Sequence, residues 1–194
     1  MQNISALNGL LADLTSGDEA RAEAAVPEIV ALGEEAFPSL HTLMESNDSD
    51  IRWWAVRTLS QNLNPPTAWL LQALQDPAPE VRQCAALGLC SHPSDESIPS
   101  LIVALADADT MVSNLATNAL VAIGAEAVPF LLESLKTSPQ AARINAMHAL
   151  ADIRDYRAVQ AMMSALEEDS MLMQHWAEEG LERLGLNMVY LDPD

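Results

Sequence analysis

"VRQCAALGL", Val81 to Leu89, decides the fold because it returns along the chain in altered form. "IRWWAVRTL" stands at 51–59, and "VSNLATNAL", "ARINAMHAL" and "MQHWAEEGL" follow at 112–120, 142–150 and 173–181. Each copy holds a small residue at its centre: Ala55, Ala85, Ala116, Ala146 and Ala177, with a looser counterpart at Ala24. Successive anchors lie 31, 30, 31, 30 and 31 residues apart. A fixed period of this length is the mark of stacked structural repeats. Other columns keep the same beat. Four residues after each anchor stand Leu59, Leu89, Leu120, Leu150 and Leu181. Fifteen before stand Leu40, Leu70, Leu101, Leu131 and Met162. Pro38, Pro99 and Pro129 recur seventeen before, where a proline at a first helical position is tolerated.

Within each period the apolar residues trace two helices. In "IPSLIVALAD", from Ile98, Leu101, Ile102 and Leu105 fall at i, i+1 and i+4. The second helix carries apolar or small residues four before, at, four after and seven after its anchor, a stripe on a 3.6-residue period. Turn segments such as "ESNDSD", "QDPAPE" and "KTSPQ" separate the helices. Nothing alternates with period two, so no strands are expected. A lone pair of this size leaves its stripe exposed, and stacking buries it in a shared core. The expected fold class is all-α: an α-solenoid of about six stacked antiparallel helix pairs. As domains, 1–194 reads as a single array, with an irregular N-terminal repeat over 1–36, five regular repeats over 37–185 and a capping tail over 186–194. Pro27 inside a second helix is expected to kink it. Met188, Val189, Tyr190 and Leu191 are apolar enough to cover the terminal repeat.

Charge narrows the partners. Twenty-eight acidic residues against nine basic ones give a net charge of −19. Non-specific nucleic-acid binding needs Lys and Arg to neutralise phosphates, so no nucleic-acid partner is expected, and no anionic membrane either. The acidity reads first as solubility, second as attraction for a basic partner. No basic residue precedes the apolar positions of "MQNISALNGLLADL", so no secretory signal is read. No run was expected to reach the roughly 18 apolar residues of a membrane span. Cys84 and Cys90 sit six residues apart on one helix, about 9 Å along its axis, too far for a disulfide. A cytoplasmic location is the expectation.

The frame "P-x-L…L-x-D-x-x-x-x-V-R-x-x-A-x-x-x-L" resembles the HEAT repeat in its short bacterial form, the phycobilisome-lyase HEAT-like repeat. The resemblance covers nearly the whole chain. It implies a right-handed α-solenoid whose second helices line a concave binding surface. It also implies a family of broad function: bilin lyases and isomerases, chaperone-like and regulatory scaffolds. HEAT-like deoxyhypusine hydroxylases carry His-Glu dipeptides for two irons; here His41, His92, His148 and His175 stand as "HT", "HP", "HA" and "HW". HEAT-like DNA glycosylases need a cationic groove, which the net charge opposes.

Taking the anchor as zero, positions −4, 0, +3, +4 and +7 are expected in the core, with −2, +2 and +5 opposite, facing the groove. Adjacent helical residues point about 100° apart. Trp53 at −2 is therefore expected to be presented, and Trp54 at −1 to pack between repeats, like Trp176. The partner-binding candidates are Trp53, Arg57, Gln83, Leu87, Asn114, Asn118, Ile144, His148 and His175; Trp and Arg are frequent among binding hot spots. The resemblance to HEAT arrays implies a structural role for Arg52, Arg82 and Arg143 at −3, bonding loop carboxylates such as Asp76 or Asp107, or helix-end carbonyls. Met147, Met162 and Met163 read as gap-filling core residues. His148 and His175 lack the further ligands a metal would need, and neither cysteine has a cation beside it to stabilise a thiolate. No catalytic set, cofactor or metal is expected. The primary expectation is a non-catalytic scaffold or adaptor that binds a protein partner through its concave face, with homo- or hetero-oligomers open. The alternative is a phycobilin lyase, isomerase or related bilin-handling chaperone, an implication of the resemblance alone; enzymes of this kind commonly act as a pair of related chains.

Overall fold

The computed structural model describes residues 2–168 and 170–186, with the backbone alone at 2–5. Met188, Val189, Tyr190 and Leu191, read above as a terminal cover, lie outside the described residues. The chain divides into two compact units, Met1–His92 and Pro93–Asp194. Among the described residues there is helix and turn, and no strand.

The first unit holds α1 (Gln2–Leu14), α2 (Glu19–Ala31), α3 (Phe37–Met44), α4 (Ser49–Ser60), α5 (Thr67–Ala73) and α6 (Pro79–Ser91). Each odd-numbered helix packs on the helix that follows it, and α4 packs in turn against α2 and α6. The second unit repeats the plan with α7 (Ile98–Ala104), α8 (Thr110–Ile123), α9 (Val128–Thr137), α10 (Gln140–Ile153), α11 (Val159–Ala165) and α12 (Met171–Arg183). There α10 is the central second helix, packed against α8 and α12. Three helix pairs stack in each unit, the all-α solenoid class that the thirty-residue period predicts.

The helix starts follow from local chemistry. Asp18, Asp48, Asp109 and Ser170 accept from backbone N–H groups at the N-termini of α2, α4, α8 and α12. Each cap satisfies a donor that the helix leaves unpaired. Pro38, Pro99 and Pro129 occupy first-turn positions of α3, α7 and α9, where the missing N–H costs nothing. Pro27 stands inside α2, which runs from Glu19 to Ala31 as one helix.

Thr110–Thr137 is long and apolar enough to cross a membrane by composition, with a mean hydropathy of 1.7 over an 18-residue window, contrary to the sequence expectation. The fold uses it otherwise. Gly124 turns the chain at φ 81, in the region glycine enters without a Cβ clash. The stretch is thereby divided into α8, a 3₁₀ turn and α9, and both helices pack against α10.

All five anchor alanines are fully buried, as are Leu59, Leu89, Leu120 and Leu150 four residues later. The first-helix column Leu40, Leu70, Leu101, Leu131 and Met162 is buried equally. Two expectations need correction. Position +7 lies only partly in the core: Asn62 and Leu184 are buried, and His92, Ile123 and Ile153 are half-buried. The second helices end at +5 to +7, so this position sits on the last turn. Position +1 joins the core, with Val56, Ala86, Thr117 and Met147 sealed and Glu178 of the last repeat exposed. Met163 is the second correction, 43% exposed on α11 while its neighbour Met162 fills the core.

The +3 column is small because elements approach closely there. A Cβ built at Gly180 would lie 2.6 Å from Met162 Cε and 3.1 Å from Ala151 Cα. The thioether tip can move, but the α10 backbone cannot. Alanine is normally favoured over glycine in a helix by about 1 kcal/mol. Gly180→Ala is nevertheless expected to destabilise, by about 1–2 kcal/mol, since overpacking forces displacement of the neighbours. A raised urea midpoint for this variant would contradict the close approach.

Candidate binding surfaces

The first unit carries an aromatic pair on α4. Trp53 and Trp54 are both half-buried, with ring centroids 4.8 Å apart and planes at 79°, an edge-to-face contact. Arg57 lies four residues after one indole and three after the other, and its guanidinium carbon sits 5.2 Å from each ring centroid. Residues three and four apart meet on a helix surface, so one cation serves both rings. Glu23 on α2 holds the guanidinium from the other side, at 2.7 Å and 2.9 Å. This corrects the expected separation of the two tryptophans: their backbone directions diverge, but the indoles are large enough to bend together under Arg57. On neighbouring α6, Gln83 is half-buried and Leu87 is 54% exposed.

In the second unit, Asn114 and Asn118 on α8 are exposed, Ile144 and His148 on α10 are half-buried, and His175 on α12 is exposed. The expected open position of His148 is partly closed. The Trp176 ring stacks on it with centroids 3.7 Å apart and planes at 11°, so Trp176 packs between repeats as expected. His175 flanks the same indole at 5.0 Å. Asp152 lies 3.4 Å from His148 Nε2 and is paired with Arg183, which also meets Glu179 at 3.1 Å. Asp152 and Arg183 were missed in the sequence; both stand at +6 of successive repeats, a position given no role there.

Burial pushes the His148 imidazole below its usual value of 6.5, against the opposing pull of the Asp152 carboxylate. A neutral histidine favoured by the fold binds its proton more weakly folded than unfolded. Its contribution is therefore intact above pH 6.5 and is lost progressively as pH falls below that value. His148→Phe keeps a ring against Trp176, and should flatten the fall in stability between pH 7 and 5. An unchanged pH profile by thermal melting would refute this.

The −3 arginines are structural, as expected. Arg52 grips Asp76 with Nε and Nη2 at 2.7 and 2.8 Å, and Nη1 donates to the Ser46 carbonyl at 2.9 Å. Burial pushes the Asp76 carboxyl up, but the Arg52 hydrogen bond, the Ala78 N–H and nearby cations outweigh it and hold it below its ordinary range. Arg82 Nη1 donates to the Asp76 carbonyl at 2.9 Å. Arg143 Nη2 donates to both oxygens of Glu168 at 2.7 Å. The acids Asp76 and Glu168 both stand at −9 of the following repeat, so the rung is periodic.

Among the described residues no group of three or more His, Cys, Asp or Glu side chains is placed to hold a metal ion. Cys84 and Cys90 are free thiols. Burial pushes the Cys84 thiol up to about 12 and raises Cys90 as well. Neither is a thiolate at neutral pH.

Helix pairs with an alanine anchor, an arginine at −3 and a proline-started first helix define an all-α repeat protein of the solenoid class. Residues 66–141 match the family described as HEAT repeats. A curated relative, the bilin biosynthesis protein RpcF of Synechococcus sp. (strain WH8020), is 36% identical over 107 residues, covering 55% of this chain. The match spans about half the length of that relative, 50%. Among solved structures, the complex of CpcE and CpcF of phycocyanin lyase from Nostoc sp. PCC7120 superposes with a TM-score of 0.59 at 24% identity, over 75% of this chain and 98% of that one. An engineered protein, Northeast Structural Genomics target OR497, gives a TM-score of 0.51 at 21% identity, over 94% of this chain and 59% of that one. At these identities the two structures share the fold alone.

Proposed function

We propose that this chain is a bilin-handling HEAT-repeat protein, acting with a protein partner in a lyase- or isomerase-type assembly. The observation that carries the reading is the 36% identity to RpcF over 107 residues. The geometry supports a binding role within such an assembly. The nine candidates lie on second helices: Trp53, Arg57, Gln83 and Leu87 in the first unit; Asn114, Asn118, Ile144, His148 and His175 in the second. They supply ring faces, amides and aliphatic side chains, the chemistry that grips a flat conjugated ligand or a partner helix.

A second reading, a non-catalytic scaffold without pigment, is favoured by a specific observation. Arg57 and Arg183, the arginines on these surfaces, are each committed to carboxylates. Bilin propionates would have to displace Glu23, or Asp152 and Glu179, to reach them. Mixing the purified chain with phycocyanobilin and with phycoerythrobilin, and recording visible absorption, separates the two. A saturable red shift or sharpening of the long-wavelength band supports bilin handling. Spectra identical to free pigment, both alone and with an apo-phycobiliprotein subunit present, would leave only the scaffold.

A further inference from the structure

The Trp53–Trp54 pair has a second side. Away from the groove residues, both indoles line a cleft of about 330 Å³ in the first unit, floored by Leu14 and Ile51. Its rim carries three carboxylates, Glu19 at the start of α2 and Asp48 and Asp50 at the start of α4. All three residues are exposed, and none is ion-paired with a described residue. Asp48 caps α4 by accepting from the Asp50 N–H at 2.9 Å, and its charge also acts on the Arg52 guanidinium.

We propose that this cleft docks a basic segment of a partner protein, one Lys or Arg side chain lying against the indoles with its cationic head among the three carboxylates. Charge complementarity names the occupant. Aromatic faces attract cations, and the attraction grows where water is partly excluded. The same two rings already hold a guanidinium inside the molecule, that of Arg57, 5.2 Å from each centroid. The cleft volume suits one or two long side chains, at the lower end of the range for ligand pockets, roughly 300 Å³. A net charge of −19 draws basic partners toward the chain at large. The Trp-walled cleft supplies a place where such a partner would be held. This inference stands apart from the bilin reading and fails or survives independently of it.

The test uses the full chain and an N-acetylated, C-amidated peptide of alternating Arg and Ser, titrated by calorimetry at low salt. Its analogue with Gln for Arg should bind at least tenfold more weakly. The triple variant Glu19→Gln, Asp48→Asn and Asp50→Asn should lose at least tenfold in affinity; asparagine keeps the helix cap, so circular dichroism should match the parent. Trp54→Leu should lose about fivefold or more. Neutralising Glu167, Glu178 and Glu182 in the other unit should change affinity less than threefold. Equal loss from that second set would mean diffuse attraction and would overturn the proposal, as would parental affinity in the triple variant. Spermidine competing as strongly as the peptide would assign the cleft to a small polyamine instead.

Discussion

Arg52→Ala should lower the stability of this protein by about 2–4 kcal/mol, the largest effect expected of any polar substitution. The guanidinium and the Asp76 carboxylate are 12% and 10% exposed, and the arginine ties three elements together: the Ser46 turn, α4 and the turn before α6. Removing one partner of a nearly buried pair leaves the other charge desolvated and uncompensated, a loss of about 3–5 kcal/mol when burial is complete. Residual exposure places this pair slightly lower. The cause can be separated from lost packing. The double variant Arg52→Met with Asp76→Asn removes both charges, keeps the hydrocarbon stem and retains an acceptor for the Ala78 N–H. It should cost less than Arg52→Ala alone. Urea denaturation in which the double variant is as unstable as the single one would assign the loss to packing and not to charge.

Leu120→Ala should cost a comparable 2–5 kcal/mol, the range for deleting a large side chain from a closed core. Leu120 is fully buried on α8. Leu87→Ala should shift stability by less than about 0.5 kcal/mol, since surface changes away from special features are close to neutral. At 54% exposure, Leu87 has little to lose from the folded state. Both residues lie on second helices, Leu120 four after its anchor and Leu87 two after. The contrast is therefore a test of the column assignment itself. Similar losses for the two variants would mean that +2 belongs to the core, and the candidate positions at +2, Arg57, Leu87, Asn118 and His148, would lose their basis.

The repeat was legible because burial acts on a helix with a period the eye can follow. A residue that must meet the next helix pair recurs in each copy, and Ala55, Ala85, Ala116, Ala146 and Ala177 therefore announce the stack. The arginine rung was legible through the resemblance to HEAT arrays, and the structure shows it as a periodic contact, Arg52 at −3 meeting Asp76 at −9 of the following copy. The binding surfaces were legible only as positions. The pairing of Trp53 with Trp54 was misread because backbone direction alone does not tell how far an indole leans. The stacking of Trp176 on His148 needed the packing of α12 against α10.

The sequence by itself determined the helix pairs, their anchors, their proline and aspartate starts, and the acidic balance, since each of these is local or strictly periodic. Tertiary structure alone decided that Glu23 of α2 clamps Arg57 of α4, that Trp176 stacks on His148, and that three acids from two helix starts ring one aromatic cleft. Those outcomes join residues with no fixed spacing, such as Glu19 and Trp54. Their meeting depends on how one helix leans on another, which no single stretch of chain encodes.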